Sequence, residues 1–367
     1  MHKEIKKVFI FGGTGFLGYY SALEFLRKGV AVDTLALPVK DDTDLKSIGV
    51  WFPKEIGLKY GNLFEMTEEE LTGILRGYEA MVYAVGPDDR VVPKAPAYQF
   101  FYDRLVTACG RAFSAAKKAG IKKAVLLSSY FCYFDRRYPE RKLSQNHTYI
   151  RVRNEQAEEM IRIGGKEMAV VILELPYIFG RMPERMPLWK EVFLDRFEKL
   201  PAIFFPKGGT TMIHVTGIAE AVVAATFNGM GGVRYPIGNK NVKYKAMLQI
   251  MNDVSGNRKK VINVPTWVAT IGGALVDKKY AKEGREGGLN HRKLMHDIQS
   301  KDYYYDAKPV WEQLGYKELG YNGGLSIIEG ITDTIRACYP ERFDENGNLK
   351  AEWVIPEKKR QYKGPRI

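Results

Sequence analysis

Gly12-Gly13-Thr14-Gly15-Phe16-Leu17-Gly18 follows the apolar run Lys7-Val8-Phe9-Ile10-Phe11 and leads into an amphipathic stretch, residues 16–28, closed by Gly29. Gly13, Gly15 and Gly18 fit G-x-G-x-x-G in the strand-to-helix setting that this spacing requires. The first glycine permits a tight turn, the second lets the backbone approach a pyrophosphate, and the third lets helix pack on strand. The N–H groups at the helix start then face phosphates. A second pair of residues offers proton chemistry. Tyr149 and Arg153 stand four apart in Tyr149-Ile150-Arg151-Val152-Arg153, so on a helix they share a face. A tyrosine moves a proton on a reacting oxygen when a nearby cation lowers its pKa from about 10. Tyr138-Pro139-Glu140-Arg141-Lys142 repeats the spacing, but Pro139 keeps Tyr138 out of the interior of a helix spanning both.

The elements that must position these groups alternate. Residues 7–11, 30–37, 80–84, 123–127 and 169–173 read as strands, and 16–28, 100–119 and 149–163 as helices. Such alternation implies an α/β fold: a Rossmann doubly wound parallel sheet, with a smaller α/β substrate domain. After Leu175 the pattern loosens, with Pro176, Pro183, Pro187, Pro201 and Pro206 among aromatics; residues 218–227 and 246–254 read as helices. The expected division is a dinucleotide-binding domain over 1–175 with about 207–235. A substrate domain would take 176–206 and 236–338, and a surface tail 339–367.

Composition narrows the class. Of 367 residues, 45% are apolar and 27% charged, which excludes disorder for the bulk of the chain. The net charge of +13 invites a nucleic acid, an anionic membrane or an anionic small molecule. The Lys and Arg residues are scattered and no aromatic RNA-recognition sequence is present, so no specific nucleic acid is expected. Cys109, Cys132 and Cys338 are too few for a disulfide scaffold; their odd number favours reduced thiols and a cytoplasmic location. Cys and His show no metal-ligand spacing, and glycines interrupt the first apolar run too early for a signal peptide. Residues 261–276 are the longest apolar stretch. Asn263, Pro265 and two glycines break it, so it reads as a buried segment and no membrane span is expected.

With the glycine fingerprint in place, the chain resembles, over roughly residues 5–335, the extended short-chain dehydrogenase/reductase family of the epimerase/dehydratase type. The resemblance implies NAD or NADP as cofactor, bound by Gly12, Gly13, Thr14, Gly15, Phe16, Leu17 and Gly18. Where that family closes its second strand with an acidic ribose-binding residue, this chain has Ala36; Asp33 lies three residues earlier. An acid there holds the 2′-hydroxyl of NAD, so its absence leans toward NADP, with Lys40 as phosphate partner. Gly61-Asn62-Leu63 looks like the family's adenine contact, with the Asn62 amide as the hydrogen-bonding group and Leu63 beside it. Ala84-Val85-Gly86 looks like its small-residue strand end beside the cofactor. Ser128, Tyr149, Arg153 and Pro176-Tyr177-Ile178 complete the implied cofactor set.

The same resemblance assigns catalysis. Val125-Leu126-Leu127-Ser128-Ser129 looks like the family's strand ending in Ser-Ser, with Ser129 as catalytic hydroxyl and Tyr149 as acid/base. Arg153 stands where the family has Lys; it supplies a cation of different shape that does not relay a proton. Ser129, Tyr177, Trp189 and His214 are the implied substrate contacts, although His214 also reads as a structural strand residue. Trp189 lies in Met182–Trp189, an insert-like stretch that either walls an apolar pocket or packs a core. Glu174, Tyr177 and Thr210 occupy positions where nucleotide-sugar enzymes carry Arg, Asn and Arg. Pro176-Tyr177-Ile178-Phe179-Gly180 looks closer to the hydroxysteroid dehydrogenase and dihydroflavonol reductase branch. The expected function is therefore an NAD(P)-dependent oxidoreductase acting on a secondary alcohol or ketone of a small molecule. The alternatives are a nucleotide-sugar epimerase or dehydratase, and a non-catalytic dinucleotide- or RNA-binding homologue. The resemblance also implies a homodimer built through helices 100–119 and 149–163.

Overall fold

The computed structural model describes residues 5–38, 51–198 and 200–363. In chain order its strands begin with β1 (Lys7–Phe11), β2 (Ala31–Ala36), β3 (Ile56–Tyr60), β4 (Ala80–Tyr83), β5 (Lys123–Ser129) and β6 (Ala169–Leu175). Then follow β7 (Tyr177–Phe179), β8 (Ile203–Phe205), β9 (Gly209–His214) and β10 (Arg234–Pro236). The first six and β10 form one parallel sheet in the order β10-β6-β5-β4-β1-β2-β3. Strand order reverses beside β1, so the carboxyl ends of β1 and β4 diverge and open a crevice, the usual ligand site of a doubly wound sheet.

The apolar run of β1 follows from burial on both faces. Val8 and Ile10 join a cluster with Ala22 and Phe25 of the helix Phe16–Arg27 and with Ile218 and Val222 of the helix Val215–Asn228. Phe9 and Phe11 point the other way, into a cluster with Phe113 of the helix Ala108–Lys118 and Met160 of the helix Thr148–Gly164. Helices therefore cover both faces, as the alternation predicts.

A second, smaller sheet joins β7 and β9 with β11 (Lys240–Lys243) and β13 (Asp302–Tyr303), and β12 (Val261–Asn263) pairs with β8. Its clusters are aromatic: Phe179, Trp189, Phe193, Phe205 and Tyr244 pack together.

Three sequence expectations change. The helix expected at 100–119 begins at Ala97 and contains a π-helical turn, Asp103–Thr107, before continuing as Ala108–Lys118. Strand β3 was not anticipated, because Gly57 and Lys59 break its apolar pattern. The stretch 261–276 is not a buried segment: it comprises β12 and most of the helix Thr266–Lys282, in which only Gly273 is buried. No helix among the described residues is long and apolar enough to cross a membrane.

Candidate active site

The glycine loop sits between β1 and the helix Phe16–Arg27. Gly12 has φ +88°, and a Cβ there would stand 2.7 Å from the Ala84 carbonyl oxygen at the end of β4. Gly13 donates its N–H to the Thr34 hydroxyl (2.8 Å). A Cβ on Gly18 would stand 2.1 Å from the Gly12 carbonyl oxygen, so only glycine lets the helix close on the loop. Gly15 differs. Its nearest neighbours would be the Gly12 oxygen at 3.2 Å and Arg185 Nη1 at 3.9 Å, so its front is open to a ligand. The first N–H groups of the helix have no intrahelical acceptor and face the same side. The loop thus fits a dinucleotide pyrophosphate. Arg185 was missed by sequence reasoning. A turn closed by a Met182–Arg185 bridge, with Glu184 at φ 53°, presents its exposed guanidinium to the loop, without an acidic partner among the described residues.

Strand β2 ends without an acid at the position where the family resemblance places the cofactor ribose. Ala36 is buried at the end of β2. Asp33 is held mid-strand by Lys7 at 3.2 Å and by the Tyr78 hydroxyl, which keep its carboxyl below the usual range against its partial burial. Lys40 lies outside the described residues. Asn62 spends its Oδ1 on the Phe64 N–H (3.1 Å) and Leu63 is buried.

Tyr149 and Arg153 come together on the helix Thr148–Gly164. Arg153 donates from Nε to the Tyr149 hydroxyl at 2.9 Å. Arg153 Nη1 reaches the Leu127 carbonyl of β5 (3.3 Å) and Gln156 Oε1 (2.9 Å), and Nη2 reaches the Pro87 carbonyl (3.4 Å). The helix is thereby tied to the carboxyl ends of β4 and β5. Four of the five guanidinium N–H donors are used, leaving one. Burial opposes its charge, but Tyr149 and the acceptors around it keep Arg153 protonated. Burial pushes Tyr149 up to about 12, with Arg153 pulling down and Asp89 pushing up. The Tyr149 N–H donates to the Gly288 carbonyl (2.8 Å), and Phe101 meets its ring edge-on at 5.6 Å, so the tyrosine is firmly seated.

Ser128 and Ser129 end β5 beside this pair, and both are buried. Ser129 Oγ accepts from the Phe131 N–H at 3.3 Å, whereas Ser128 Oγ has no partner among the described residues. Tyr138 ends the helix Phe131–Arg137 and Lys142 sits at φ 52°, so the competing Tyr–Lys spacing does not share a helix face.

Beyond Gly86 the chain supplies Asp88, Asp89 and Arg90, which sequence reasoning did not single out. Asp88 pairs with Arg90 at 2.7 Å, and Arg90 lies over the Trp189 ring at 5.9 Å. Burial, with the charge of Asp88 beside it, pushes the Asp89 carboxyl up against the pull of Arg90, and its charge is felt by Tyr149 and Tyr177. The only hint in sequence was an acidic pair directly after the small-residue strand end. Tyr177 is flanked by Trp189 (5.3 Å) and Tyr244 (5.9 Å), and Trp189 donates to the Ile178 carbonyl (2.8 Å). Pro176 precedes β7, whose Tyr177 and Ile178 pair with Met212 and Ile213 of β9.

His214 goes elsewhere. It is buried, its Nδ1 accepts from the Thr216 N–H (3.1 Å) to cap the helix Val215–Asn228, and its Nε2 lies 3.7 Å from Asp333. It is a capping residue, as its strand setting suggested, and the substrate contact expected of it has no geometric support. Glu174 is buried in a two-bond pair with Arg136 (2.7 and 2.8 Å), and Thr210 Oγ1 bonds the Tyr130 hydroxyl at 2.8 Å.

The sheet order defines a doubly wound parallel α/β fold, with the glycine loop at the carboxyl end of its first strand. No family model and no curated protein matches the chain by sequence. Solved structures do match. The crystal structure of gox2253 is 18% identical, with a TM-score of 0.68 over 94% of this chain and 100% of that one. The Bordetella bronchiseptica enzyme WbmH in complex with NAD+ is 13% identical, with a TM-score of 0.62 over 92% and 99%. UDP-glucose-4-epimerase of Stenotrophomonas maltophila, with bound NAD and formylated UDP-arabinopyranose, is 13% identical, with a TM-score of 0.63 over 92% and 99%.

Proposed function

We propose that this chain is an NAD(P)-dependent oxidoreductase acting at a secondary alcohol or ketone, with Tyr149 as the proton donor and acceptor. The observation that carries this reading is the Arg153–Tyr149 hydrogen bond at the carboxyl edge of the sheet. Because Arg153 donates to the phenol oxygen, the phenol's own proton is directed to another acceptor. A bound nicotinamide supplies or takes up the hydride. In reduction, Tyr149 gives its proton to the carbonyl oxygen as the carbon gains hydride, and the phenolate left behind rests against the Arg153 cation. In oxidation the same oxygen takes the alcohol proton back. Ser129, with Ser128 beside it, offers a hydroxyl donor to hold the reacting oxygen.

Ala36, and an Asp33 already engaged by Lys7 and Tyr78, support NADP over NAD. A second reading, nucleotide-sugar epimerase, is favoured by the names of the matching structures. Against it, the positions where nucleotide-sugar enzymes carry Arg hold Glu174 and Thr210, neither of which is cationic and both of which bond internal partners, so no cation stands there to grip a sugar diphosphate. Cofactor turnover separates the two. Stoichiometric oxidation of NADPH by a ketone fits the first reading, while conversion of a UDP-sugar with no net cofactor change fits the second.

A further inference from the structure

The helix Thr266–Lys282 faces the wrong way for a core helix. Trp267, Ile271 and Leu275 are 67%, 55% and 63% exposed. Spaced four apart, they form one stripe, with Val268 beside it. The helix is anchored instead by small and polar groups. A Cβ on Gly273 would stand 2.4 Å from the His291 carbonyl oxygen, and Asp277 accepts the N–H groups of His291 and Arg292 (3.0 and 2.9 Å). The element just before it repeats the inversion: Phe204 of β8 and Ile262 of β12 are partners in register and are 46% and 41% exposed.

Cations border this apolar surface. Lys278, Lys279 and Lys282, in the last turns of the helix, lie on the same side as the stripe by their spacing and are exposed. Arg258 and Lys260, immediately before β12, are exposed as well. None of the five has an acidic partner within ion-pair distance among the described residues. At 17 residues the helix is about 25 Å long. It is too short to span and suited to lying flat.

We propose that this face seats on an anionic lipid bilayer. Trp267, Ile271 and Leu275 enter the headgroup–acyl boundary, and Lys278, Lys279 and Lys282 meet lipid phosphates. Charge complementarity selects this occupant: unpaired cations edge an apolar stripe on a chain of net charge +13.

The test is co-sedimentation of the full chain with phosphatidylcholine vesicles, with and without phosphatidylglycerol. The wild type binds the phosphatidylglycerol vesicles at least about tenfold more tightly. The combined variant Trp267→Ser/Ile271→Ser/Leu275→Ser loses this binding without a change in melting temperature, because the three side chains face solvent. Lys278→Glu/Lys279→Glu/Lys282→Glu erases the preference for the anionic vesicles. Three results overturn the proposal: a wild type that ignores phosphatidylglycerol vesicles, a serine variant that still binds them, or a wild-type dimer that the serine substitutions split while neither form binds vesicles. Dinucleotide affinity, measured in the same preparations, reports separately on the oxidoreductase reading, since none of these residues touches the glycine loop.

Discussion

Arg153 donates through Nε to the Tyr149 hydroxyl at 2.9 Å while Leu127 and Gln156 hold its Nη1. The guanidinium is therefore aimed by β5 and by its own helix, and the tyrosine oxygen accepts a charged hydrogen bond from it. A lysine at this position would carry the charge on a single flexible ammonium. The arginine exchanges that freedom for fixed geometry.

Replacing this cation has two separable effects. Arg153→Met removes the charge that keeps burial from pushing Tyr149 beyond about 12, so alcohol oxidation, which needs the phenolate, slows and its pH–rate profile moves alkaline. Arg153→Lys keeps the charge but leaves Gln156 Oε1 without its donor. Turnover stays within about tenfold, and urea unfolding shows a loss of about 1–3 kcal/mol.

Two glycines of one loop give opposite outcomes. Gly15→Ala costs the fold far less than a change at Gly18, because its Cβ meets the Gly12 oxygen at 3.2 Å and a shift of a few tenths of an ångström relieves the contact, yet it lowers dinucleotide affinity by at least about tenfold. Gly18→Ala destabilises the fold itself, since its Cβ would stand 2.1 Å from the same oxygen. Thermal melts and fluorescence titration of both variants check this.

The proposed cofactor choice is tested at β2. On that reading the wild type is expected to bind NADPH more tightly than NADH, and Ala36→Asp is expected to turn the preference toward NADH by placing a carboxylate at the strand end. Equilibrium titration of both cofactors against both proteins measures it.

Acid should loosen the covering of Tyr149. His147 precedes the helix Thr148–Gly164 and accepts the Asn290 N–H at 3.2 Å; burial holds its pKa down to about 4 from 6.5. Between those values the unfolded chain binds a proton that the folded chain refuses. Stability present above pH 6.5 is therefore lost as pH falls toward 4, by up to about 3 kcal/mol. Urea unfolding across this range shows a shallower slope for His147→Asn, whose Oδ1 keeps the Asn290 contact.

The sheet and the glycine loop were legible because they are local patterns. Val8–Phe11 is apolar on both faces, and Gly13, Gly15 and Gly18 carry fixed spacing. Tyr149 and Arg153 share a helix face by arithmetic alone. The partners of Arg153 were not legible, because Leu127 and Pro87 reach it only through the parallel pairing of β4 and β5. Arg185 is brought to Gly15 by a turn more than 160 residues away in sequence, with no local mark of its destination. The helix Thr266–Lys282 misled for the converse reason. Trp267, Ile271 and Leu275 read as core, and only the seat of Gly273 on His291 decides which face turns out.

The most direct test of Tyr149 as acid/base is turnover of the Tyr149→Phe variant. The assay follows NADPH oxidation across a panel of apolar ketones, beside NADPH binding to the same protein. The geometry predicts a rate at least about a hundredfold below wild type, with NADPH affinity preserved. Equal turnover by wild type and Tyr149→Phe on a ketone that the wild type reduces would contradict it.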